Sequence, residues 1–235
     1  MAAAAIGTRR VEPEWLDTLP PLDPRARRSR RDLVRVNALM GHARIVAGEL
    51  ARRLAPGART IVEVGAGDAA FALALARTYV LRRWRPHMTL VDRQPCADRA
   101  NVAALHERGW QAAIVQCDAF DWLAAPRARP CDAIVANLFL HHFETEALAR
   151  LLLLAAQRTR LFVACEPHRS AFALAGASLL GALGCNDVTR HDAVVSVRAG
   201  FSGAELAALW PKERGWHIEE GPRGLFSHLF VARLA

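Results

Sequence analysis

Short apolar runs and longer amphipathic stretches alternate along the chain. Valine, isoleucine, leucine and alanine dominate five runs of strand length, at 60–64, 88–92, 112–116, 131–137 and 160–166. Apolar residues spaced three and four apart predict helices between these runs, at 69–81, 97–109, 119–124 and 143–157. Because strands and helices take turns, the pattern predicts an α/β fold with a doubly wound, mostly parallel sheet.

The N-terminal part of the chain departs from this alternation. Residues 1–22 contain several prolines and no periodicity, which predicts a flexible arm. Residues 23–57 have helical spacing, with Gly41 as a dividing point, and they predict an N-terminal helical lid that ends at Pro56 and Gly57. The remaining residues, 58–235, are expected to form the main domain.

The C-terminal end predicts a reversed pair of strands. Residues 202–210 are expected to form a short helix with Ser202 as its N-cap. Strand-like segments follow at 216–220 and 226–234, and the linker between them is largely the sequence GPRG. Because so short a linker cannot hold a parallel crossover, these segments predict an antiparallel hairpin.

Composition narrows the class of protein. The chain is 52% hydrophobic and 23% charged, which is typical of a folded, soluble protein. Five cysteines without paired or metal-ligand spacing favour a cytoplasmic location. No apolar run is long enough to predict a membrane span, and the N-terminal residues do not resemble a signal peptide.

Charge is positive but mostly dispersed. The net charge is +8, and Lys212 is the only lysine among 31 basic residues. Because the arginines are spread among alanines and leucines, we do not expect a nucleic-acid partner. The exception is the cluster Arg25–Arg31, which is either a solvated helix face, a contact for an anionic acceptor, or a contact with a membrane surface.

A glycine turn follows the first predicted strand. Gly65 and Gly67, with Ala70, fit the G-x-G-x-x-G/A pattern of a dinucleotide site. However, Glu63 precedes the turn by two residues, and its carboxylate would repel a pyrophosphate. A ligand with a positive end suits this position better, and S-adenosylmethionine carries an α-ammonium and a sulfonium without any phosphate.

Polar residues also end the later strands. Asp92 can accept from the hydroxyls of a ribose, Asp118 from an adenine amino group, and Asn137 lies where the reactive centre is expected. In a doubly wound sheet, ligands bind beyond the carboxyl ends of the strands. We therefore expect the same site to include their neighbours Ala66, Arg93, Ala119 and Leu138.

These stretches carry a family resemblance. VEVGAGDAA, LVDRQP, QCDAFDWL and CDAIVANLFLHHFE resemble the successive motifs of class I S-adenosylmethionine-dependent methyltransferases, over residues 60–235. The resemblance implies a Rossmann-like, seven-stranded sheet with a C-terminal antiparallel hairpin. It also implies that Glu63, Gly65, Gly67, Asp92 and Asp118 contact the cofactor. The family's usual third glycine is Ala69 here.

The tail and the first helix are similar to a narrower group. Residues 165–211, with RRDLVRVNALMG near the start, resemble small bacterial methyltransferases that are associated with type III polyketide synthases. That resemblance implies O-methylation of a phenolic or quinoid product, in secondary metabolism.

Histidines are the candidates for the acceptor side. A phenol ionises only near pH 10, so a neighbouring base assists methyl transfer, and histidine suits this role. His141 and His142 follow the fourth strand, and His191 lies beside Asp192, either as a base with its orienting carboxylate or in a solvated turn. Glu166 either faces the acceptor or caps a helix, and His228 is expected in the core or at a sheet edge. We expect residues 169–200 to fold over the acceptor as a second lid.

Other functions stay open from the sequence alone. A nucleic-acid or protein methyltransferase, a nicotinamide-dependent oxidoreductase and a non-catalytic cofactor-binding module use related folds. The fourth strand ends in ANLF and lacks the N/D-P-P-Y/F motif of enzymes that methylate amino groups of bases. We expect a small-molecule acceptor, no metal, and a monomer or homodimer; O-, C- and N-methylation are not distinguished.

Overall fold

The protein is described from a computed structural model, which covers residues 6–20, 22–54, 59–126, 130–212 and 215–235. The strands are β1 (Thr60–Val64), β2 (His87–Asp92), β3 (Gln111–Gln116), β4 (Ala133–Asn137), β5 (Leu161–Pro167), β6 (Trp216–Arg223) and β7 (Ser227–Leu234). The helices are α1 (Trp15–Thr18), α2 (Pro24–Met40), α3 (His42–Arg53), α4 (Ala70–Ala76), α5 (Arg99–Glu107), α6 (Ala119–Ala124), α7 (Thr145–Arg158), α8 (Ala171–Ser178), α9 (Asp187–Ala199) and α10 (Glu205–Leu209).

The strands form one seven-stranded sheet in the order β3-β2-β1-β4-β5-β7-β6. The first five strands in this order are parallel, and β7 is antiparallel to both β5 and β6. The predicted fold class, a doubly wound sheet with a C-terminal antiparallel hairpin, is therefore confirmed. The strand order reverses between β1 and β4, which is the point where open α/β sheets bind ligands.

Helices cover both faces of the sheet. One apolar layer packs α3, α4 and α5 on it, with Leu50, Leu75 and Leu105 fully buried. The other packs α6, α7 and α10, with Leu151 and Trp210 in the core. Side chains of each strand alternate between these layers. Helices thus pack on both faces of the sheet, and the carboxyl ends of its strands remain accessible.

Several predicted elements differ in extent. The helix predicted at 69–81 ends at Ala76, and a separate 3-10 turn follows at Tyr79–Leu81. The fourth strand begins at Ala133 rather than residue 131. Ser202 is not an N-cap: the last helix starts at Glu205, whose carboxylate accepts from the Ser202 amide.

The C-terminal hairpin turns later than predicted. Strand β6 continues through Pro222 to Arg223, so the turn lies at 224–226 rather than at GPRG. A proline, which lacks an N–H, is tolerated in β6 because β6 is an edge strand.

The N-terminal segment is not a loose arm over its described length. Residues 6–20, here called the strap, lie along α9. The Arg10 amide donates to the Arg198 carbonyl at 3.1 Å, and the Trp15 and Leu16 amides donate to the Asp192 carboxylate at 2.8 and 3.0 Å. Sequence periodicity missed this segment because its hydrogen bonds come from distant residues.

No helix in the described ranges is long and apolar enough to cross a membrane.

Candidate functional site

A cleft of about 660 Å³ opens at the carboxyl ends of β1, β2 and β4. That volume lies in the range of small-molecule and cofactor sites. All ten residues predicted for the cofactor line it: Glu63, Gly65, Ala66, Gly67, Asp92, Arg93, Asp118, Ala119, Asn137 and Leu138. The parallel sheet brings them together because its first strands all end at the same edge.

The glycine turn after β1 has the conformation that its sequence requires. Gly65 and Gly67 have φ values of +72° and +53°, which side chains disfavour. A Cβ at Gly65 would lie 2.2 Å from the Phe139 ring, so the backbone approach also needs glycine there. The Gly67 amide donates to Asp92 Oδ2 at 2.8 Å, which ties the turn to the end of β2. Ala69, at the family's glycine position, also has a positive φ, of 65°.

Glu63 is a buried carboxylate that lines the cleft. Its side chain is 2% exposed, and Oε2 has no hydrogen-bond partner among the described residues. Burial raises the pKa of Glu63 well above its ordinary value, and the nearby carboxylates Asp68 and Asp92 raise that pKa further. Such a group favours a cation that can donate hydrogen bonds to it.

The two aspartates at the ends of β2 and β3 combine two roles. Asp92 Oδ1 accepts from the Gln94 amide at 2.8 Å, and Asp118 Oδ1 accepts from the Phe120 amide at 2.8 Å at the start of α6. These bonds fix the carboxylates in place. Each oxygen can accept more than one hydrogen bond, so both groups still offer acceptors to a ligand.

Asn137 is oriented by a buried network that the sequence did not indicate. His42 Nδ1 lies 2.8 Å from Asn137 Oδ1, and His42 Nε2 lies 2.8 Å from Ser227 Oγ. Burial lowers the pKa of His42, so the ring is neutral. A ring that accepts from Ser227 and donates to Asn137 leaves the amide nitrogen of Asn137 available to a ligand.

The three candidate histidines lie in different places. His142 lines the cleft, as do Phe139 and Phe143. His141 lies outside the cleft lining and is 3% exposed. His191 lies on α9, rather than in a turn, and stacks on Trp15 with ring centroids 3.9 Å apart. Of the three, only His142 can meet an acceptor in this cleft.

His141 is held between two carboxylates. Its Nδ1 donates to Glu166 Oε2 at 2.8 Å, and its Nε2 lies 3.4 Å from Glu14 Oε1 in the strap. Burial opposes the charge, but the interactions with Glu14 and Glu166 outweigh it and raise the pKa of His141 to about 9. The same contacts lower the pKa of Glu14, against its burial, to about 2. His141 is therefore a buried cation that joins the strap to the sheet.

Glu166 caps the turn that follows β4. Its carboxylate accepts from the Phe139 and Leu140 amides at 3.0 and 2.9 Å. It does not line the described cleft, so the capping alternative describes it. His228 is fully buried in β7, 2.8 Å from Glu220, as expected for a core residue.

His142 has the opposite electrostatic character to His141. Burial lowers the pKa of His142, and the neighbouring charge on His141 lowers it further. Asp17 of the strap lies 3.8 Å from His142 Nδ1. A neutral imidazole in the cleft can accept a proton from a bound ligand.

Glu14, His141 and His142 form a group that sequence analysis did not anticipate. Their donor atoms lie within 4.8 Å of one another, close enough to hold a metal ion. Both nitrogens of His141 already contact carboxylates, so the protonated ring has a partner for each N–H without a metal. The absence of a metal stays a prediction.

The other wall of the cleft was not predicted residue by residue. It comes from the strap and from α2, and includes Val11, Pro13, Leu16, Leu33, Val34 and Asn37. Asn37 Oδ1 is buried without a partner among the described residues, so it too can accept from a ligand. None of the residues that line the cleft comes from 169–200, and the second lid stays a prediction. That segment instead supports the strap and α2 through α9.

Comparisons with known proteins agree on the fold. No protein-family model matches the chain, and no curated protein matches it. Among solved structures, an O-methyltransferase family protein from Burkholderia thailandensis superposes with a TM-score of 0.62 at 16% identity, over 91% of this chain and 61% of that one. The plantazolicin methyltransferase BpumL, in complex with SAH, superposes with a TM-score of 0.61 at 12% identity, over 91% of this chain and 92% of that one.

A third structure has the highest identity of those described. The mitomycin 7-O-methyltransferase MmcR gives a TM-score of 0.58 at 21% identity, over 93% of this chain and 60% of that one. This chain thus spans about three fifths of the length of two of these three structures. At these identities the likeness shows the fold: this chain has the Rossmann-like architecture of S-adenosylmethionine-dependent methyltransferases.

Proposed function

We propose that this protein is an S-adenosylmethionine-dependent methyltransferase that acts on a small, largely apolar acceptor. The observation that carries the proposal is Glu63, a buried carboxylate with an unpartnered oxygen beside the glycine turn. A pyrophosphate would be repelled there, whereas a cationic ligand satisfies the carboxylate. The fold shared with known methyltransferases supports the same ligand.

The residues present fit this cofactor. Glu63 would face its positive end, Asp92 the ribose hydroxyls, and Asp118 the adenine amino group, while Gly65 and Gly67 let it approach the backbone. When bound, S-adenosylmethionine supplies a methyl group that its sulfonium activates for displacement. The protein's own task is then to place an acceptor in line and to remove its proton.

The acceptor side favours a flat, apolar molecule with an ionisable hydroxyl. Leu16, Leu33 and Val34 line the cleft from the strap and α2, and Phe139 and Phe143 face each other edge-on with centroids 5.0 Å apart. Aromatic and aliphatic walls bury an aromatic ring well. A phenolic or quinoid metabolite of polyketide type fits these walls, and O-methylation is the reaction that we propose.

His142 is the proposed general base. It lies in the cleft, and its lowered pKa keeps the ring neutral at neutral pH. A phenol has a pKa of about 10, so loss of its proton to a neighbouring base accelerates the attack on the methyl group. His141, as a buried cation, and His191, outside the cleft, are not proposed to be bases.

Labelled methyl transfer tests this assignment. Purified protein is incubated with methyl-labelled S-adenosylmethionine and a panel of phenols, and label in the product is counted. We expect His142→Ala to lower kcat about a hundredfold, with cofactor affinity unchanged, because a positioned base contributes at least that factor. The control His217→Ala changes an exposed histidine of β6 and is expected to have no effect. Equal kcat in both variants would exclude His142 as the base.

The proposal extends to the location of the enzyme, its oligomeric state and its lid. We propose a cytoplasmic enzyme, monomeric or homodimeric, in which residues 23–57 act as a lid on the cofactor domain; residues 55–57 lie outside the described ranges. A link to type III polyketide synthases stays a prediction from the sequence resemblance.

A further inference from the structure

Two surface features that the proposed function does not use meet at one edge of the molecule. The first is the arginine-rich face of α2. The second is the connection between α8 and α9, residues 179–186, whose sequence is LLGALGCN. They were separate in the sequence, and the fold brings them into contact.

The arginine face of α2 is exposed. Arg27, Arg31 and Arg35 recur every four residues and therefore share one side of the helix, with Arg28 beside them. Arg35 lies 3.7 Å from Asp32, but Arg27 and Arg31 have no carboxylate partner within the described part of the chain. Exposed guanidinium groups without a protein partner are well suited to phosphate.

The α8–α9 connection exposes apolar side chains. Leu179 and Leu183 are 65% and 61% exposed, and Phe172 at the start of α8 is 49% exposed. Helix α8 itself has the sequence AFALAGAS, so its outer side is also apolar. Large exposed apolar groups that lie together mark an interaction surface.

Specific bonds hold the two features side by side. An Arg28 guanidinium nitrogen donates to the Gly184 carbonyl at 3.1 Å, and Asn186 Nδ2 donates to the Arg25 carbonyl at 2.9 Å. The Asn186 amide also donates to the buried Asp32 carboxylate at 2.9 Å. The apolar side chains are therefore fixed next to the basic face of α2.

We propose that this edge is a docking surface for an anionic lipid bilayer. Arginines that contact lipid phosphates, next to leucines that enter the headgroup boundary, are the two components of interfacial membrane binding. A nucleic acid would use the arginines but would leave the exposed leucines without a role. Binding of this surface to a bilayer does not depend on the proposed methyltransferase activity.

Vesicle co-sedimentation of the full chain tests the proposal. Vesicles of phosphatidylcholine alone are compared with vesicles of equal parts phosphatidylcholine and phosphatidylglycerol. We expect binding to the anionic vesicles only, weakened by salt. The double variant Arg27→Gln/Arg31→Gln should bind about thirtyfold more weakly, since each basic group near such a surface adds about fivefold.

A second double variant separates a lipid surface from other anions. Leu179→Ser/Leu183→Ser keeps the charge and is expected to lose about tenfold in vesicle affinity, because its apolar contacts are removed. The matched controls are Arg83→Gln/Arg99→Gln and Val80→Ser/Ile114→Ser, exposed residues elsewhere, which should bind as the unchanged protein does. Equal binding to neutral vesicles, no effect of the leucine variant, or stronger retention on duplex DNA than on anionic vesicles would overturn the proposal.

Discussion

At the scale of single residues, Glu63 stands out in the cleft because its carboxylate is buried and one of its oxygens has no partner among the described residues. Its raised pKa follows from burial and from two neighbouring carboxylates, and it has no compensating partner among the described residues. In the free protein a proton can neutralise this carboxylate, and a cationic cofactor can take the place of that proton.

A prediction follows for the pH dependence of binding. Without ligand, the raised pKa means that Glu63 binds a proton at pH values where an ordinary glutamate is ionised. A cation requires the ionised form, so binding releases that proton, and affinity falls as pH decreases below the raised pKa. Calorimetric titration with S-adenosylmethionine in buffers of different ionisation enthalpy measures the proton release.

The variant Glu63→Gln gives the matched comparison. We expect cofactor affinity to fall at least about tenfold, since a hydrogen bond to a charged group is lost. The proton release should disappear with it, while circular dichroism shows the same fold. Affinity and proton release that match those of the unchanged protein would remove Glu63 from the cofactor site.

Leu138 is a second residue under local constraint. It has a φ of 51° although it carries a branched side chain, and it lines the cleft just after β4. Such a conformation costs of order 1 kcal/mol and occurs mostly at functional sites. Its amide donates to the Cys165 carbonyl at 3.0 Å, which holds the turn that presents Phe139 to the cleft.

At the scale of elements, the strap decides how the cleft is covered. Trp15 and Leu16 are bound by Asp192, Arg9 donates to the His141 and Phe143 carbonyls at 3.0 and 2.7 Å, and Glu14 contacts His141. Because Val11, Pro13 and Leu16 line the cleft, a ligand that fills it contacts the strap. The strap is therefore positioned to act as its cover.

The contact between Glu14 and His141 gives the strap a testable pH dependence. The pKa of His141 is raised to about 9, above its ordinary value. The stability that charged His141 contributes by holding the strap is therefore fully present below about pH 6.5. It is lost as pH rises through about 9, where His141 loses its proton. We expect Glu14→Gln to make tryptic cleavage after Arg9 and Arg10 about tenfold faster at neutral pH, because a charge-assisted contact is lost.

The control for this experiment is Glu146→Gln, an exposed glutamate of α7. It should leave cleavage unchanged. If cleavage of Glu14→Gln is as slow as that of the control, His141 does not fasten the strap. A zinc-dependent slowing of cleavage in the unchanged protein would instead assign Glu14, His141 and His142 to a metal.

The contacts of the strap could not be predicted from the sequence, whereas the polar strand ends could. The strand ends could be predicted because apolar runs locate parallel strands, and parallel strands place Glu63, Asp92 and Asp118 at one edge. Contacts such as Glu14 with His141, or His42 with Asn137, join residues far apart in sequence and leave no periodic signal.

At the scale of the whole molecule, we propose that the sheet supplies the cofactor side and that the N-terminal segments supply the acceptor side. The polar strand ends of β1, β2 and β3 form one wall, and apolar and polar residues of the strap and α2 together form the other. We propose that a charged cofactor binds at the first wall and that the acceptor binds at the apolar part of the second. The fold is confirmed by comparison with solved structures, while the acceptor rests on the character of this second wall.

Calorimetric titration of the full chain with S-adenosylmethionine, S-adenosylhomocysteine and NADH distinguishes a methyl-donor site from a dinucleotide site. Our expectation is micromolar binding of the first two and no binding of NADH, whose pyrophosphate would lie near Glu63. Binding of NADH, or no binding of either adenosyl compound by protein that circular dichroism shows to be folded, would contradict it.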